Sequence, residues 1–291
     1  MLNKKEIQLN NEVAFYYSIE NVGTDAHFFP RNGLPIGVYK PLLDLLSKKF
    51  KLTSLAFRAS WKYSKKQNKQ VKWEVYANDL INFIEKKYQE PIIGIAHSQG
   101  ANATIIAASK RPDLFKELYL IDPVCVTKFE QKWISLVPYI LKKNMEPFKS
   151  SLKKKSVWNN PEEYFLHLQK SKGYKRIKEE NLKLFANESL TLNNENKYEL
   201  IFPKDWETAN YALPINFEKE LKSLKIPYKI ILGKPSVFVS KKVRSNWNEF
   251  AKENIVVNMN FGHLIPLEAP EFCFEQIEKT TGNRVYGGSP N

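Results

Sequence analysis

The chain has 291 residues, of which 43% are hydrophobic and 13% aromatic, and its formal net charge is +14. This length allows one large domain with an insertion or two small domains, and the apolar content excludes a disordered chain. Two cysteines are too few for a disulfide scaffold, so we expect free thiols. Only six of the 45 cations are Arg and the Lys residues are spread along the chain, so we expect no nucleic-acid partner.

The apolar runs of the chain bear on where the protein is found. Its first eleven residues carry charges and no apolar run of about 7 to 15 residues, so they do not resemble a signal peptide. No later segment reaches the roughly 18 uninterrupted apolar residues of a membrane helix. We therefore expect a cytoplasmic protein with no membrane span.

Short apolar runs alternate with helical patterns over the first 122 residues. In chain order, the predicted elements are strands in Glu6–Tyr17 and Asp25–Phe29, helix Pro35–Phe50, strand Leu52–Phe57, helix Trp73–Lys87, strand Pro91–His97, helix Gln99–Ser109 and strand Glu117–Asp122. Repeated strand–helix units are typical of parallel strands joined by crossover helices. The predicted fold class is α/β, with a doubly wound, mostly parallel sheet.

The alternation stops after Pro123, and about ninety Lys-rich residues with helical patterns follow, including a helix predicted over Phe129–Leu141. It then resumes with strand Ile226–Leu232, helix Lys241–Lys252, strand Ile255–Met259 and helix Leu267–Lys279. We predict a core formed by residues 1–125 and 216–280, a helical cap inserted after the sixth strand (126–215), and a loose C-terminal tail (281–291). An insertion at the carboxyl edge of the sheet is placed to cover a substrate.

The segment from Ile92 to Ala101 places a serine between an apolar strand and an Ala-rich helix. This is the setting of a nucleophile elbow, in which a tight turn exposes the serine hydroxyl. Small residues are needed two positions before and after Ser98, because strand and helix pass closely there, and Ala96 and Gly100 meet that need. The alternative is an ordinary turn in which Ser98 caps the helix.

Four histidines are candidates for the base that accepts the serine proton. His97 adjoins the nucleophile and is expected to project to the other side of the turn. His167 lies in the Lys-rich insertion, and we expect His27 to be a structural residue beneath the loop that follows its strand. His263 lies between the last strand and the last helix.

The segment from Phe261 to Glu271, F-G-H-L-I-P-L-E-A-P-E, resembles the C-terminal G-H-x-x-P-L-E-x-P-E signature of α/β-hydrolases, in which the histidine hangs over the nucleophile. The order Ser then His also fits that family. Around the serine the family has G-x-S-x-G, from which Ala96 departs at the first glycine. The resemblance implies Ser98 as nucleophile and His263 as general base; the alternative for His263 is a capping or core histidine.

A tetrahedral intermediate needs backbone N–H donors aimed at its negative charge. Gln99, directly after the nucleophile, is predicted to supply one donor at the start of its helix. The sequence N-G-L-P, followed by Y-K-P-L-L, resembles the oxyanion loop of a bacterial α/β-hydrolase subgroup with an N-G-x-P pattern. The resemblance implies that Leu34 gives the second N–H and that Asn32 and Gly33 shape the turn. A plain Gly-Pro turn is the alternative.

A third group should orient the histidine. Most α/β-hydrolases place an acid after the penultimate strand, where Leu232 to Ser240 contains no carboxylate. Some members place it after the strand that follows the nucleophile helix, where this chain has Asp122. The carboxyl ends of parallel strands face one crevice, so Asp122 is the predicted acid. Asp-Pro also ends this strand in relatives with the usual acid, and Ser236 or a water is the alternative orienter.

These residues predict a serine hydrolase that cleaves a carboxylic ester or thioester through an acyl-enzyme on Ser98. Epoxide hydrolases and haloalkane dehalogenases of this fold need Asp at that position, which disfavours both activities. A carbon–carbon bond hydrolase that uses the same residues, or a non-catalytic binding protein without the acid, are the alternatives.

We expect no metal and no cofactor, because the sequence has no ligand spacing and no Gly-rich phosphate loop. The expected partner is a small-molecule acyl substrate. Its acyl group is predicted to be apolar or aromatic because the insertion is rich in aromatic residues, namely Trp133, Tyr139, Trp158, Tyr164, Phe165, Trp206 and Tyr211. The sequence leaves the oligomeric state open.

Overall fold

The computed structural model describes residues 2–65, 71–236 and 238–283. Its strands in chain order are β1 (Asn3–Leu9), β2 (Glu12–Ile19), β3 (Thr24–Phe29), β4 (Phe50–Leu55), β5 (Ile92–His97), β6 (Phe115–Ile121), β7 (Val157–Trp158), β8 (Leu190–Leu192), β9 (Tyr198–Leu200), β10 (Tyr228–Leu232) and β11 (Ile255–Val257). Its helices are α1 (Lys40–Leu46), α2 (Trp73–Lys87), α3 (Gln99–Lys110), α4 (Lys128–Leu136), α5 (Tyr139–Lys142), α6 (Phe148–Lys153), α7 (Pro161–Lys170), α8 (Glu179–Glu188), α9 (Lys204–Tyr211), α10 (Glu218–Ser223), α11 (Lys241–Ala251), α12 (Ile265–Glu268) and α13 (Pro270–Asn283).

Within the described residues, eight strands form one sheet in the order β1-β2-β4-β3-β5-β6-β10-β11. The six strands from β4 to β11 run parallel, and β1 and β2 add an antiparallel hairpin at one edge. Ile93 and Ile95 of β5 pack into one buried cluster, and Ile92 and Ala96 into a second one. Because both faces are covered, the central strands are apolar throughout rather than alternating. The predicted α/β fold with a mostly parallel sheet is confirmed.

Among the predicted elements that the structure divides, two are divided at an identifiable residue, and the helix predicted over Leu267–Lys279 is divided between α12 and α13. The segment Glu6–Tyr17 is divided between β1 and β2, with Asn10 in the left-handed region between them at φ 52°. The helix expected over Phe129–Leu141 ends at Leu136 and restarts at Tyr139, because Pro138 lacks the N–H that a continuous helix needs. Val137, directly before the proline, is extended at ψ 124°.

Helix α4 does not bury its apolar stripe. No residue of α4 is buried, and Phe129, Trp133 and Leu136 are 78%, 55% and 76% exposed. The apolar spacing of this segment therefore corresponds to a helix, but its apolar side chains remain exposed.

The chain between β6 and β10 contains strands as well as helices. Helices α4 to α10 lie there together with a small antiparallel sheet in the order β7-β9-β8. The side-chain oxygen of Asn193 accepts hydrogen bonds from the backbone amides of Glu195 and Lys197 and closes the turn between β8 and β9. The expectation of a purely helical insertion is corrected in this respect.

The last helix, α13, extends to Asn283, three residues into the segment predicted to be a loose tail. The rest of that predicted tail, 284–291, lies outside the described residues. Among the helices that the structure describes, none combines the length and the apolar character needed to cross a membrane.

Candidate active site

Ser98 occupies a sharp turn between β5 and α3. Its backbone has φ 57° and ψ −126°, a sparsely populated conformation for a residue with a side chain. The start of α3 lies so close to the loop after β3 that a Cβ on Gly100 would lie 2.2 Å from the carbonyl oxygen of Pro30. Ala96, two residues before the serine, is completely buried. This is the strained strand-turn-helix arrangement of a nucleophile elbow.

Ser98, His263 and Asp122 form one hydrogen-bonded line. The Oγ of Ser98 lies 2.9 Å from Nε2 of His263, and Nδ1 of His263 lies 2.6 Å from Oδ2 of Asp122. Because the carboxylate only accepts, Nδ1 carries the ring proton of neutral His263, and Nε2 is left free to accept the serine proton. The three residues come from three loops at the carboxyl edge of the sheet, after β5, β6 and β11.

Asp122 is fully buried and is held by backbone as well as by side chains. Its own backbone lies in the left-handed region at φ 42°, directly after β6. Its Oδ1 accepts a hydrogen bond from the Gly233 amide at 3.1 Å and lies 3.6 Å from Nη2 of Arg244. The loop after β10, which has no carboxylate, therefore contributes a backbone donor to Asp122. Ser236 in that loop accepts a hydrogen bond from the Phe238 amide.

The surroundings of His263 keep its ring neutral. Burial lowers the pKa of His263 from its ordinary value, although the Asp122 carboxylate raises it. The positive charges of Arg31 and Arg244 also lower this pKa. The ring of Phe238 stacks on the imidazole, with 4.4 Å between ring centroids. A neutral imidazole is the form that can accept a proton.

His97 and Tyr39 support the loop that carries His263, a role that the sequence did not indicate. Nε2 of His97 donates to the backbone carbonyl of His263 at 2.8 Å. Its Nδ1 therefore accepts from the Tyr39 hydroxyl at 2.7 Å, and that hydroxyl accepts from the Arg31 amide at 3.1 Å. Burial lowers the pKa of His97 well below its usual value, which keeps this chain of hydrogen bonds intact. The one sequence signal for this role was that His97 directly precedes Ser98.

The predicted oxyanion residues differ in how the structure supports them. Gln99 is the first residue of α3, where a backbone amide has no acceptor within its own helix. The Leu34 amide makes a long turn hydrogen bond of 3.4 Å to the Arg31 carbonyl, and the Leu34 side chain is buried in the core. Leu34 as the second donor stays a prediction. Gly33, at φ 82°, has the left-handed backbone that glycine favours.

Helix α9 of the insertion fastens the loop that contains Asn32. The Asn32 side chain donates to the Glu207 carbonyl at 2.9 Å and accepts from the Asn210 side chain at 2.8 Å. Asn210 in turn accepts from the Tyr76 hydroxyl at 2.7 Å. Gly33 packs so closely on the Glu207 side chain that a Cβ would lie 2.5 Å from its carboxyl carbon. The loop shape therefore depends on α9.

The two remaining histidines lie apart from this line. His27 is buried in β3, where its Nε2 accepts from the Leu55 amide at 2.9 Å, and burial lowers its pKa to about 3. His167 lies on α7 with its ring 4.9 Å from that of Trp158. Within the part of the chain that the structure describes, no group of three or more potential metal-ligating side chains is placed to hold an ion.

Two cavities lie at the site, one bordered by His263 and one by Gln99, the residue after Ser98. One, of about 180 Å³, has Gln99 and Phe238 in its wall together with apolar side chains such as Ile134 and Phe148. The other, of about 390 Å³, includes His263 itself. Of the aromatic residues expected to shape an acyl pocket, Tyr211 borders the first cavity, whereas Trp133 is exposed and Phe165 and Trp206 are buried.

Comparison with known proteins gave matches in structure only, since no family model and no curated protein matches the sequence. The fold is shared with E-2-(acetamidomethylene)succinate hydrolase at 16% identity and a TM-score of 0.81, covering 97% of this chain and 100% of that one. The chain has the α/β-hydrolase fold. A thioesterase domain from the curacin biosynthetic pathway shares this α/β-hydrolase fold at 14% identity and a TM-score of 0.71, covering 95% and 99% of the two chains.

A third α/β-hydrolase fold structure, the N-formylmaleamic acid deformylase from Pseudomonas putida, matches at 16% identity and a TM-score of 0.66, covering 94% of this chain and 99% of that one. Each match spans nearly the whole of both chains. At these identities the likeness establishes the α/β-hydrolase fold alone, so the reaction must be inferred from the residues of the site.

Proposed function

We infer that the protein is a serine hydrolase that cleaves a carboxylic ester or thioester through an acyl-enzyme on Ser98. The observation that carries this proposal is the line Ser98–His263–Asp122, with separations of 2.9 and 2.6 Å. Nucleophile, base and orienting acid are the three parts that acyl transfer to serine needs. The similar structures carry the names of a hydrolase, a thioesterase and a deformylase, which fits the proposal.

In the proposed acylation step, Ser98 attacks the acyl carbonyl while Nε2 of His263 takes the hydroxyl proton. Asp122 stabilises the imidazolium that forms, and the Gln99 amide donates to the developing oxyanion. When the tetrahedral intermediate collapses, the bond to the leaving group breaks and His263 gives that group the proton. The acyl group is then bound to Ser98 as an ester.

In the proposed deacylation step, His263 takes a proton from water, and the resulting hydroxide attacks the acyl-enzyme. Collapse of the second intermediate breaks the Ser98 ester, returns the proton to the serine and releases a carboxylic acid. The proton transfers in both steps pass through the contact between Ser98 and His263 or between His263 and the leaving group or the attacking water.

We assign residues 126–215 as a cap on a core of residues 1–125 and 216–280. The Val126 amide donates to the Ile215 carbonyl at 3.0 Å, so the two ends of the segment lie side by side as in an inserted unit. The Asn216 side chain also donates to the Val126 carbonyl at 2.7 Å. Contacts of α9 with the Asn32 loop support the covering role.

Labelling with a fluorophosphonate probe tests the nucleophile. We expect the wild-type protein to be labelled at Ser98, and the Ser98→Ala variant not to be labelled. Ser109→Ala, at the far end of α3, is the matched control and should be labelled as wild type. No labelling of the wild-type protein at high probe concentration would instead favour a non-catalytic binding protein.

The type of bond is tested by a substrate screen with 4-nitrophenyl esters of increasing chain length alongside acyl-CoA thioesters. We expect turnover of at least one of these classes, abolished in Ser98→Ala. Labelling at Ser98 without turnover of any ester or thioester would favour a carbon–carbon bond hydrolase with the same residues.

A further inference from the structure

Arg31 lies beside the candidate active site, and no carboxylate among the described residues forms an ion pair with it. Its Nη2 donates to the Tyr211 hydroxyl at 2.8 Å. The Tyr211 ring stacks on Phe238, with 6.4 Å between centroids, and Phe238 stacks on His263. The Nε of Arg31 is buried and has no hydrogen-bond acceptor among the described residues. Nε is therefore enclosed by protein atoms without an acceptor, while Arg31 also lies in the wall of the cavity that contains His263.

The carboxylates near Arg31 are engaged by other groups. Asp122 accepts from His263 and Gly233, and Glu268 accepts from the Gly262 amide at 2.6 Å. Glu207 pairs with Lys154 at 3.2 Å. The charge of Glu207 favours the Arg31 cation from a distance, but no described carboxylate hydrogen-bonds to it, so an anion entering the site would add a direct partner.

The cavity that contains His263 is lined by cations. Arg31 lies in its wall, and the exposed side chains of Arg176 and Lys234 lie beside it. Among the described residues that line this cavity, Glu268 is the one carboxylate. Three cations against one anion give this side of the site a positive charge that attracts anionic substrates.

We propose that the substrate carries a carboxylate, which binds to Arg31 in the cavity beside His263 and places the scissile acyl group at Ser98. This proposal rests on the proposed function and narrows its substrate class. A guanidinium donates charge-assisted hydrogen bonds to carboxylates, which is why proteins favour Arg for recognising them. Arg176 and Lys234 add long-range attraction at the mouth of the cavity.

The cavity on the other side of the site has a different character. Its wall combines apolar side chains, such as Val124, Ile134 and Phe148, with two carboxylates and one cation, namely Glu130, Glu146 and Lys142. Two carboxylates against one cation make this cavity a poorer site for an anion than the cavity that contains His263.

Two pairs of esters test the proposal, and each pair differs only in charge. 4-Nitrophenyl hydrogen adipate and its methyl ester place the charge on the acyl side. 4-Acetoxybenzoate and its methyl ester place it on the leaving-group side. Binding to Ser98→Ala is measured by calorimetry, so that it does not depend on turnover, and kcat/KM is measured for the active protein.

The variants are Arg31→Gln and Arg31→Lys, each made alone and with Ser98→Ala. Arg111→Gln is the control, because Arg111 follows α3 at the end opposite to Ser98 and pairs there with Asp113 and Glu85. It removes the same charge at a site roughly 18 Å along the helix.

In at least one pair we expect the charged ester to bind roughly 10–100-fold more tightly than the neutral one, as for a charged hydrogen-bonded pair. Arg31→Gln should remove this preference, Arg31→Lys should keep part of it, and Arg111→Gln should not change it. Equal affinities within both pairs, or no binding of any of the four esters, would overturn the proposal. If the preference is present but Ser98 takes no fluorophosphonate label, the hydrolase assignment fails and the anion site stands.

Discussion

The candidate site joins two regions that differ in how their residues are held. Ser98, Asp122 and His263 follow strands of the central sheet, and Asp122 and the residues next to Ser98 are buried in a dense core. Asn210 and Tyr211 belong to α9 of the insertion and reach the site through hydrogen bonds to Asn32 and Arg31. The sheet positions the three side chains of the candidate site, and the insertion shapes the space around them. Changes in the first region should therefore affect turnover, and changes in the second should affect substrate preference.

The largest expected effect comes from Asp122→Asn in the core region. We expect kcat to fall by roughly 10³–10⁴-fold, because the orienting carboxylate and its stabilisation of the imidazolium are lost. The fold should be retained, as checked by circular dichroism. Turnover within tenfold of wild type would show that Asp122 is not the acid.

The same variant has a defined pH dependence. Neutral His263 is the active form, and since burial lowers its pKa, the midpoint of the acidic limb of wild-type kcat/KM should lie below the ordinary histidine value of about 6.5. Asp122 raises this pKa, so Asp122→Asn should move the acidic limb to lower pH. A shift to higher pH would contradict the electrostatic role assigned to Asp122.

A smaller effect is expected from His97→Phe, which keeps a ring but removes both hydrogen bonds of His97. The loop of His263 loses the hydrogen bond from His97. We expect kcat to fall roughly 10–100-fold, the loss seen when a residue that orients a metal-ligating side chain is removed. His27→Phe is the matched control, because it also removes a hydrogen bond of a buried histidine but lies away from the site. Equal losses of kcat in both variants would mean that His97 acts only through stability.

In the insertion, Asn210→Ala tests the dependence of the Asn32 loop on α9. It leaves the side-chain oxygen of Asn32 and the Tyr76 hydroxyl without a partner, so the free energy of unfolding should fall by about 1–3 kcal/mol. We expect KM to rise more than kcat falls. Exposed Asn187 on α8 is the control, and its change to Ala should alter neither constant. A loss in kcat alone would indicate that α9 affects the chemical step rather than substrate binding.

The smallest effect is expected where the insertion exposes its apolar residues. Leu136→Ala on α4, at a position 76% exposed, should change the free energy of unfolding by less than about 0.5 kcal/mol. Leu80→Ala on α2, at a fully buried position, should cost about 2–5 kcal/mol. Urea unfolding of both variants measures the contrast, and similar losses would show that α4 packs against something in solution.

Much of the core was predictable because its sequence signals are local. Helix Trp73–Lys87 has the predicted bounds, and strand and helix around Ser98 differ from prediction by one residue at one end of each. The G-H-x-x-P-L-E segment identified His263, which lies where the motif implied. The prediction of one continuous helix over Phe129–Leu141 was wrong at Pro138, because it followed the apolar spacing and ignored the proline.

The sequence by itself determined the alternation of strands and helices, the turn at Ser98 and the short list of candidate bases, because each depends on neighbours within a few residues. Only the tertiary structure decided that Asp122 lies 2.6 Å from Nδ1 of His263, although 141 residues separate them. It also decided that His97 donates a hydrogen bond to the His263 loop and that Arg31 has no ion pair with a carboxylate in the part of the chain that is described. Such contacts join residues that are far apart in the sequence, so they depend on the packing of strand ends and inserted helices and cannot be read from a local sequence pattern.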